Sequence, residues 1–115
     1  MKVGKSSRYV PDRGDVVKLN FSPQEGHEQA RYRPVILSPT KYNVLSSLAL
    51  MCPITNQSKG FLFEAALIEG MKTTGVVLSD QVKSFDWRAR QAKFVEKAPE
   101  QLVEEVLAKI EALLS

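Results

Sequence analysis

The clearest periodic pattern in the chain lies at its C-terminus, where apolar residues recur every three to four positions. This spacing places them on one face of an α-helix. Pro99 suits the first turn of a helix, and Glu100 complements the positive end of the helix dipole. The apolar stripe consists of Leu102, Val103, Val106, Leu107, Ile110, Leu113 and Leu114. The pattern predicts a helix over residues 99–114 that packs against the core or against another subunit.

The preceding part of the chain has the shorter period of β-strands. In residues 15–21, Val17, Leu19 and Phe21 alternate with Lys18 and Asn20, which is typical of a half-buried strand. Further strands are predicted at 34–37, 48–54, 60–66, 75–78 and 91–95, with a turn of helix within 79–87 and loops over 22–32 and 38–47. Many short strands separated by turns favour a closed or nearly closed antiparallel barrel.

The segment from Ser22 to Tyr32 has no apolar periodicity and contains the breakers Pro23 and Gly26. Connections in compact domains have a median of ~4–6 residues, so this one is long. Long ordered loops often carry function. We therefore expect functional residues here.

Length and composition narrow the class of protein. A chain of 115 residues, 43% hydrophobic and 25% charged, fits a single globular domain. The basic N-terminus is not followed by an apolar run, and no segment approaches the ~20 apolar residues of a membrane span. We expect one cytoplasmic domain over residues 1–115, with no membrane partner.

Cys52 and His27 are the only cysteine and histidine. Intramolecular disulfides and zinc sites of the Cys/His type therefore lack ligands. Cys52 lies in an apolar run and is interpreted as a small buried hydrophobe. A Cys–His nucleophile pair is the alternative.

The net charge of +3 is unevenly distributed. Residues 99–115 carry one lysine and four glutamates, so the first 98 residues carry +6. An excess of this size can attract a phosphate backbone, although it is also compatible with an ordinary solvated surface.

The segment from Gly26 to Pro34 combines side chains suited to RNA cleavage without a metal. The 2′-hydroxyl of RNA is an internal nucleophile, so the enzyme must supply a base, an acid and cations beside the phosphate. His27 and Glu28 are candidate bases, and Arg31 and Arg33 are candidate charge stabilisers. The alternative is a surface ion pair between Glu28 and Arg33.

Outside this segment three further features are candidates. Thr55 offers a hydroxyl at the end of a predicted strand, or is a turn residue. Asp80 and Gln81 form a second polar cluster, or Asp80 caps a helix. The segment Trp87-Arg88-Ala89-Arg90 suits stacking and pairing with nucleic acid, or a tryptophan packed under arginine side chains.

These residues belong to an ordered series of blocks in which the chain closely resembles the MazF/PemK family of toxin endoribonucleases. The series runs through Arg8-Tyr9-Val10-Pro11-Asp12, Gly14-Asp15, Gly26-x-Glu28-Gln29, Arg33-Pro34, Leu37-Ser38-Pro39, Tyr42-Asn43, Pro53, Thr55, Gln57-Ser58-Lys59-Gly60, Phe63-Glu64, Gly75, Asp80-Gln81-Val82-Lys83-Ser84 and Trp87-Arg88-Ala89-Arg90. Only the first seven residues fall outside it.

The resemblance implies a mainly β fold, a small SH3-like antiparallel barrel of the CcdB/PemK/MazF type with a C-terminal helix. It also implies a homodimer that cleaves single-stranded RNA at short sequences without metal or cofactor, leaving a 2′,3′-cyclic phosphate. A cognate acidic, MazE-like antitoxin would fold over the same groove and compete with RNA.

By position, the resemblance assigns catalysis to Glu28, Arg33 and Thr55, with Asp80 as a second candidate base. His27 is a possible catalyst and a substrate contact. The expected RNA-binding residues are His27, Gln29, Arg31, Lys59, Asp80, Gln81, Lys83 and Arg88.

Two positions depart from the family's pattern. The plasmid-encoded branch has an arginine acid two residues before the aspartate, where this chain has Leu78, so Asp80 lacks that partner. Arg31-Tyr32 stands where relatives often have glycine and a small or imidazole residue. Two other functions stay open: a CcdB-like poison that binds a protein target, and a barrel that only binds nucleic acid.

Overall fold

The computed structural model describes residues 9–21 and 33–115. Within these ranges the strands are β1 (Asp15–Lys18), β2 (Val35–Ile36), β3 (Leu48–Cys52), β4 (Ile54–Thr55), β5 (Glu64–Ala66), β6 (Val76–Leu78), β7 (Lys83–Asp86) and β8 (Lys93–Lys97), and the helices are α1 (Thr40–Ser46) and α2 (Glu100–Leu114). The predicted mainly β fold with a C-terminal helix is confirmed.

The described strands form two antiparallel sheets. The larger has the order β7-β3-β2-β1-β8, and the smaller has the order β4-β6-β5. Only Pro53 separates β3 from β4, so the chain passes from one sheet to the other at this residue. The strand predicted over residues 48–54 is therefore two strands, because proline cannot donate the hydrogen bond that would continue the ladder.

Strands β1 and β2 of the larger sheet are buried on both faces over Asp15–Val17 and Val35–Ile36. Val16 packs in a cluster with Leu102 and Val106 of α2, whereas Val17 packs in a second cluster with Met51 and Trp87. The half-buried alternation predicted for this strand is therefore wrong at Val16, which is fully buried. A strand covered on both sides has no polar face to reveal its period.

Helix α2 matches the predicted C-terminal helix, with Leu102, Val103 and Val106 buried. Pro99 precedes the first helical residue and is not itself in the first turn. The stripe predicted to pack continues to Leu114, but that residue is 83% exposed. No helix in the described part of the chain is long and apolar enough to cross a membrane.

Helix α1 corrects the predicted loop over residues 38–47. Its single buried residue is Asn43, whose amide nitrogen donates to the carbonyl oxygens of Pro11 (2.8 Å) and Ser38 (3.0 Å). The hydroxyl of Ser38 donates to Asn43 Oδ1 at 2.6 Å, and Ser47 ends the helix with a left-handed φ of 62°. A helix held by one polar side chain has no apolar stripe, so its period is absent from the sequence.

Strand β7 corrects the turn of helix expected within residues 79–87. It pairs with β3 at the edge of the larger sheet, and three of its four residues are exposed. An edge strand of this kind lacks the apolar alternation by which strands are recognised. The strands predicted at 60–66 and 91–95 are observed as Glu64–Ala66 and Lys93–Lys97.

The segment before β1 is fixed by a buried carboxylate. Asp15 accepts hydrogen bonds from the hydroxyl of Tyr9 (2.6 Å) and the backbone N–H of Asp12 (3.0 Å), and its other oxygen lies 2.8 Å from Lys97 Nζ. Burial, followed by the hydrogen bond to Asp15, raises the pKa of Tyr9 well above its usual range. These contacts satisfy a carboxylate that burial would otherwise destabilise.

Tyr9→Phe should lower the free energy of unfolding by about 1–3 kcal/mol, because the buried Asp15 carboxylate loses one donor. Urea unfolding at pH 7 measures the change. Tyr42→Phe is the matched control, since Tyr42 is 40% exposed on α1. Equal effects of the two substitutions would contradict the structural role given to the Tyr9 hydroxyl.

Candidate active site

Three chain segments meet where β3 ends. Strand β2 runs antiparallel to β3 with Val35 opposite Cys52, so Arg33 lies at the end of β2 that adjoins Pro53. The N–H of Leu78 donates to the Pro53 carbonyl at 3.0 Å, which brings the turn containing Asp80 to the same place. We call this region, defined by Arg33, Pro53 and Asp80, the Pro53 edge.

Thr55 ends β4, two residues beyond Pro53, and pairs with Val76. Its hydroxyl oxygen accepts a hydrogen bond from the N–H of Gln57 at 3.1 Å. Gly75 passes so close that a Cβ added to it would lie 2.3 Å from the Thr55 carbonyl oxygen, and its φ of +115° is one that other residues rarely adopt. The position of Thr55 therefore depends on the absence of a side chain at residue 75.

Asp80 and Gln81 occupy a tight turn between β6 and β7. The N–H of Gln81 donates to the Leu78 carbonyl at 3.1 Å, and both side chains are exposed. The helix-capping alternative for Asp80 is wrong, because the turn leads into a strand. Lys83 begins that strand opposite Met51, so it also lies at the Pro53 edge.

Cys52 is buried directly before Pro53, as predicted. Burial raises the pKa of the Cys52 thiol to about 12, and the nearby Asp80 carboxylate adds to the effect. The reactive form of cysteine is the thiolate, which this environment disfavours at neutral pH. The thiol is therefore unsuited to the nucleophilic role of the Cys–His alternative.

Lys59 belongs to the loop between β4 and β5, residues 56–63, which we call the 56–63 loop. Glu64 holds this loop by accepting hydrogen bonds from the N–H groups of Lys59 (3.0 Å) and Gly60 (3.1 Å) and from the hydroxyl of Ser58 (2.7 Å). Glu64 received no role in the sequence analysis, and the only signal for it was its place in the matching block Phe63-Glu64.

Arg88 is not brought to the Pro53 edge. It lies beyond the opposite end of β7, with its guanidinium 4.7 Å from the centroid of the Trp87 ring. Trp87 itself is buried and donates from Nε1 to the Asn43 carbonyl at 2.9 Å. These contacts match the packing alternative for the tryptophan.

Four predicted site residues, His27, Glu28, Gln29 and Arg31, lie outside the described residues. Within the ranges 9–21 and 33–115, no group of three or more His, Cys, Asp or Glu side chains is arranged to hold a metal ion.

The residues that do meet at the Pro53 edge have complementary chemistry. Arg33 and Lys83 are cations, Asp80 carries a carboxylate, and Thr55, two residues beyond Pro53, supplies a hydroxyl. The cations can attract an anionic ligand, and the carboxylate beside them can accept a proton from it. The arrangement therefore suits the binding of a phosphodiester.

Comparisons with known proteins agree with this chemistry. A family model described as a PemK-like, MazF-like toxin of a type II toxin–antitoxin system matches residues 12–114. Over 110 residues the chain is 50% identical to the endoribonuclease toxin MazF of Escherichia coli strain K12, covering 94% of this chain and 97% of that protein. It is 34% identical over 110 residues to the endoribonuclease PemK of Escherichia coli, covering 90% and 82%. A crystal structure of MazE-MazF from Deinococcus radiodurans matches with a TM-score of 0.84 at 39% identity, covering 93% and 97%.

Gly75→Ala should destabilise the protein more than Gly70→Ala, although both glycines have a left-handed φ. At Gly70 nothing lies within 4 Å of an added Cβ, so backbone strain alone should cost about 1–2 kcal/mol. At Gly75 the collision with the Thr55 carbonyl should add about 1–3 kcal/mol. Thermal and urea unfolding of both variants test this prediction. An equal loss of stability in the two variants would mean that the chain at Gly75 can move away from the Thr55 carbonyl without cost.

Proposed function

Because the chain belongs to the PemK-like, MazF-like family of type II toxins and is an endoribonuclease toxin of that family, we propose that it cleaves single-stranded mRNA through the 2′-hydroxyl. The cleavage is specific for a short sequence, requires no metal or cofactor, and inhibits translation and growth. The observation that supports this proposal is that Arg33, Thr55 and Asp80 belong to three segments joined around Pro53 by strand pairing and by the hydrogen bond from Leu78.

The proposed reaction is an internal transfer at phosphorus. Glu28 removes the proton of the 2′-hydroxyl, and the resulting oxygen forms a bond to the adjacent phosphorus. The bond from phosphorus to the 5′-oxygen breaks, and that oxygen takes up a proton. The products are a 2′,3′-cyclic phosphate and a free 5′-hydroxyl, so atoms and charge balance without an external reactant.

Arg33 is the proposed partner of the developing negative charge, because a guanidinium donates two parallel hydrogen bonds to phosphate oxygens. Thr55 acts beside it through its hydroxyl. Asp80 is the second candidate base, and its role is limited by Leu78, which cannot supply the proton that an arginine supplies in the plasmid-encoded branch. His27 is a substrate contact with a possible part in proton transfer.

The remaining contacts bind RNA on either side of the cut. They are Gln29, Arg31, Lys59, Gln81, Lys83 and Arg88, with Gln81 reading a base. Lys83 and Arg88 lie at opposite ends of β7, so they would hold different nucleotides of an extended strand.

The proposed assembly follows from the family. We propose that the chain is one domain that acts in the cytoplasm as a homodimer. A MazE-like antitoxin is its proposed inhibitor, and a solved relative contains MazE together with MazF. An acidic antitoxin segment would compete with RNA for the same cations, so its binding would weaken as salt rises.

Purified protein incubated with a mixed pool of single-stranded transcripts and EDTA should produce fragments that end in a 2′,3′-cyclic phosphate. Sequencing the ends gives the cleavage motif. Replacing the 2′-hydroxyl by hydrogen at the cut should abolish cleavage. Intact RNA in all sequence contexts would overturn the proposal in favour of a poison that binds a protein target or a barrel that only binds nucleic acid.

Arg33→Gln should lower kcat about 10²–10³-fold, because one donor to the developing charge is lost. Lys41→Gln is the matched control: it removes the same charge, but from α1, which follows the opposite end of β2. Single-turnover cleavage of an oligonucleotide carrying the motif separates kcat from binding. A normal rate for Arg33→Gln would refute its assignment.

A further inference from the structure

The 56–63 loop is held at both of its ends by residues of the flanking strands. At its start, the Thr55 hydroxyl accepts the N–H of Gln57 at 3.1 Å. At its end, the Glu64 carboxylate accepts three donors: one oxygen takes the Ser58 hydroxyl and the Gly60 N–H, and the other takes the Lys59 N–H. The path of the loop is thus determined by hydrogen bonds from β4 and β5.

Glu64 is itself fixed beside the Pro53 edge. It begins β5 opposite Leu78, and the N–H of Ser79 donates to the Phe63 carbonyl at 3.2 Å. Leu78 in turn contacts the Pro53 carbonyl. A carboxylate carried by a paired strand is a firmer anchor than one carried by a loop.

The aromatic residues of the loop add a second restraint. The rings of Phe61 and Phe63 stack at 5.2 Å between centroids with an interplanar angle of 20°. The N–H of Glu64 also donates to the Phe61 carbonyl at 3.1 Å, which closes a turn. Both ends of the loop therefore have a defined conformation. The side chain of Lys59, within the loop, is exposed to solvent.

The Glu64 carboxylate is in its charged form at neutral pH. The hydrogen bond from the Lys59 backbone, followed by that from the Ser58 hydroxyl, lowers its pKa below the usual value. Its negative charge lies next to a lysine proposed to bind RNA. Electrostatics alone would make such a carboxylate unfavourable for binding a polyanion.

We propose that Glu64 is a positioning residue for RNA binding, because it fixes the backbone of residues 58–60 and so directs the Lys59 ammonium group toward a substrate phosphate. The inference rests on the proposed function, since it needs RNA as the ligand. It gives Glu64 no contact with RNA and no part in proton transfer.

The direction in which RNA affinity changes on mutation of Glu64 distinguishes a positioning role from a purely electrostatic one. Removing the Glu64 carboxylate removes a negative charge, so a purely electrostatic role predicts tighter RNA binding. A positioning role predicts weaker binding, because Lys59 loses its fixed location. Glu69→Gln is the matched control: Glu69 is exposed in the connection between β5 and β6 and makes no hydrogen bond or ion pair within the described part of the chain.

The probe is an RNA oligonucleotide that carries the motif found by end sequencing, with a 2′-deoxy nucleotide at the cut so that it binds without being cleaved. Glu64→Ala should weaken its binding about tenfold, the size of one misplaced charge-assisted contact. Glu64→Gln should have a smaller effect in the same direction, because its amide oxygen can still accept from Ser58 and Gly60. With the cleavable oligonucleotide, KM should rise while kcat stays within about twofold.

A double-mutant cycle that combines Glu64→Ala with Lys59→Gln tests whether Glu64 affects RNA binding through Lys59. Lys59→Gln should lower the salt dependence of binding by ~0.7 in log–log slope in the native background, and by much less in the Glu64→Ala background. Additive effects would mean that Glu64 acts independently of Lys59. Ser58→Ala, which removes one donor and leaves the carboxylate, provides a milder variant if Glu64→Ala unfolds.

The outcomes distinguish the two proposals. If the native protein neither binds nor cleaves RNA, the proposed function fails. If it cleaves RNA, but Glu64→Ala and Glu64→Gln bind as tightly as Glu69→Gln or more tightly, the positioning role of Glu64 is refuted and the proposed function stands.

Discussion

The architecture depends on the burial of both faces of the adjacent strands β1 and β2. Val16 and Val17 are adjacent in sequence and both are fully buried, one under α2 and the other against the cluster that contains Trp87. Apolar burial on two sides makes a shift of register costly, since it would move every side chain to the wrong face. The fixed register in turn determines that Arg33 lies beside Pro53.

The pairing register of the core strands also positions the segments that form the candidate site. The change of sheet at Pro53 sends β4 away from the larger sheet, and the turn after β6 returns to the same point through the contact between Leu78 and the Pro53 carbonyl. Cys52 fills the space beneath with a neutral thiol. Polar groups from separate segments are thus collected at the Pro53 edge while the layer below them stays apolar.

The sequence predicts those elements whose buried residues recur with the period of a helix or a strand. Helix α2 is recognisable because Leu102 and Val106 lie on one face, and Pro99 and Glu100 mark its start. Helix α1 lacks such a pattern because its buried residue is the polar Asn43, and edge strand β7 lacks one because three of its four residues are exposed. The site residues were assigned by resemblance and not by periodicity, and the anchoring role of Glu64 depends on distances that no spacing in the sequence contains.

The anchoring of the 56–63 loop separates the requirements of folding from those of ligand recognition. Glu64 binds the backbone N–H groups of Lys59 and Gly60, which every residue except proline possesses, and Thr55 likewise binds a backbone N–H, that of Gln57. The side chains at positions 57 and 59 are therefore free to vary without loss of the loop's shape. A substitution at either position can therefore change what the loop binds while the shape of the loop and the core of the protein stay unchanged.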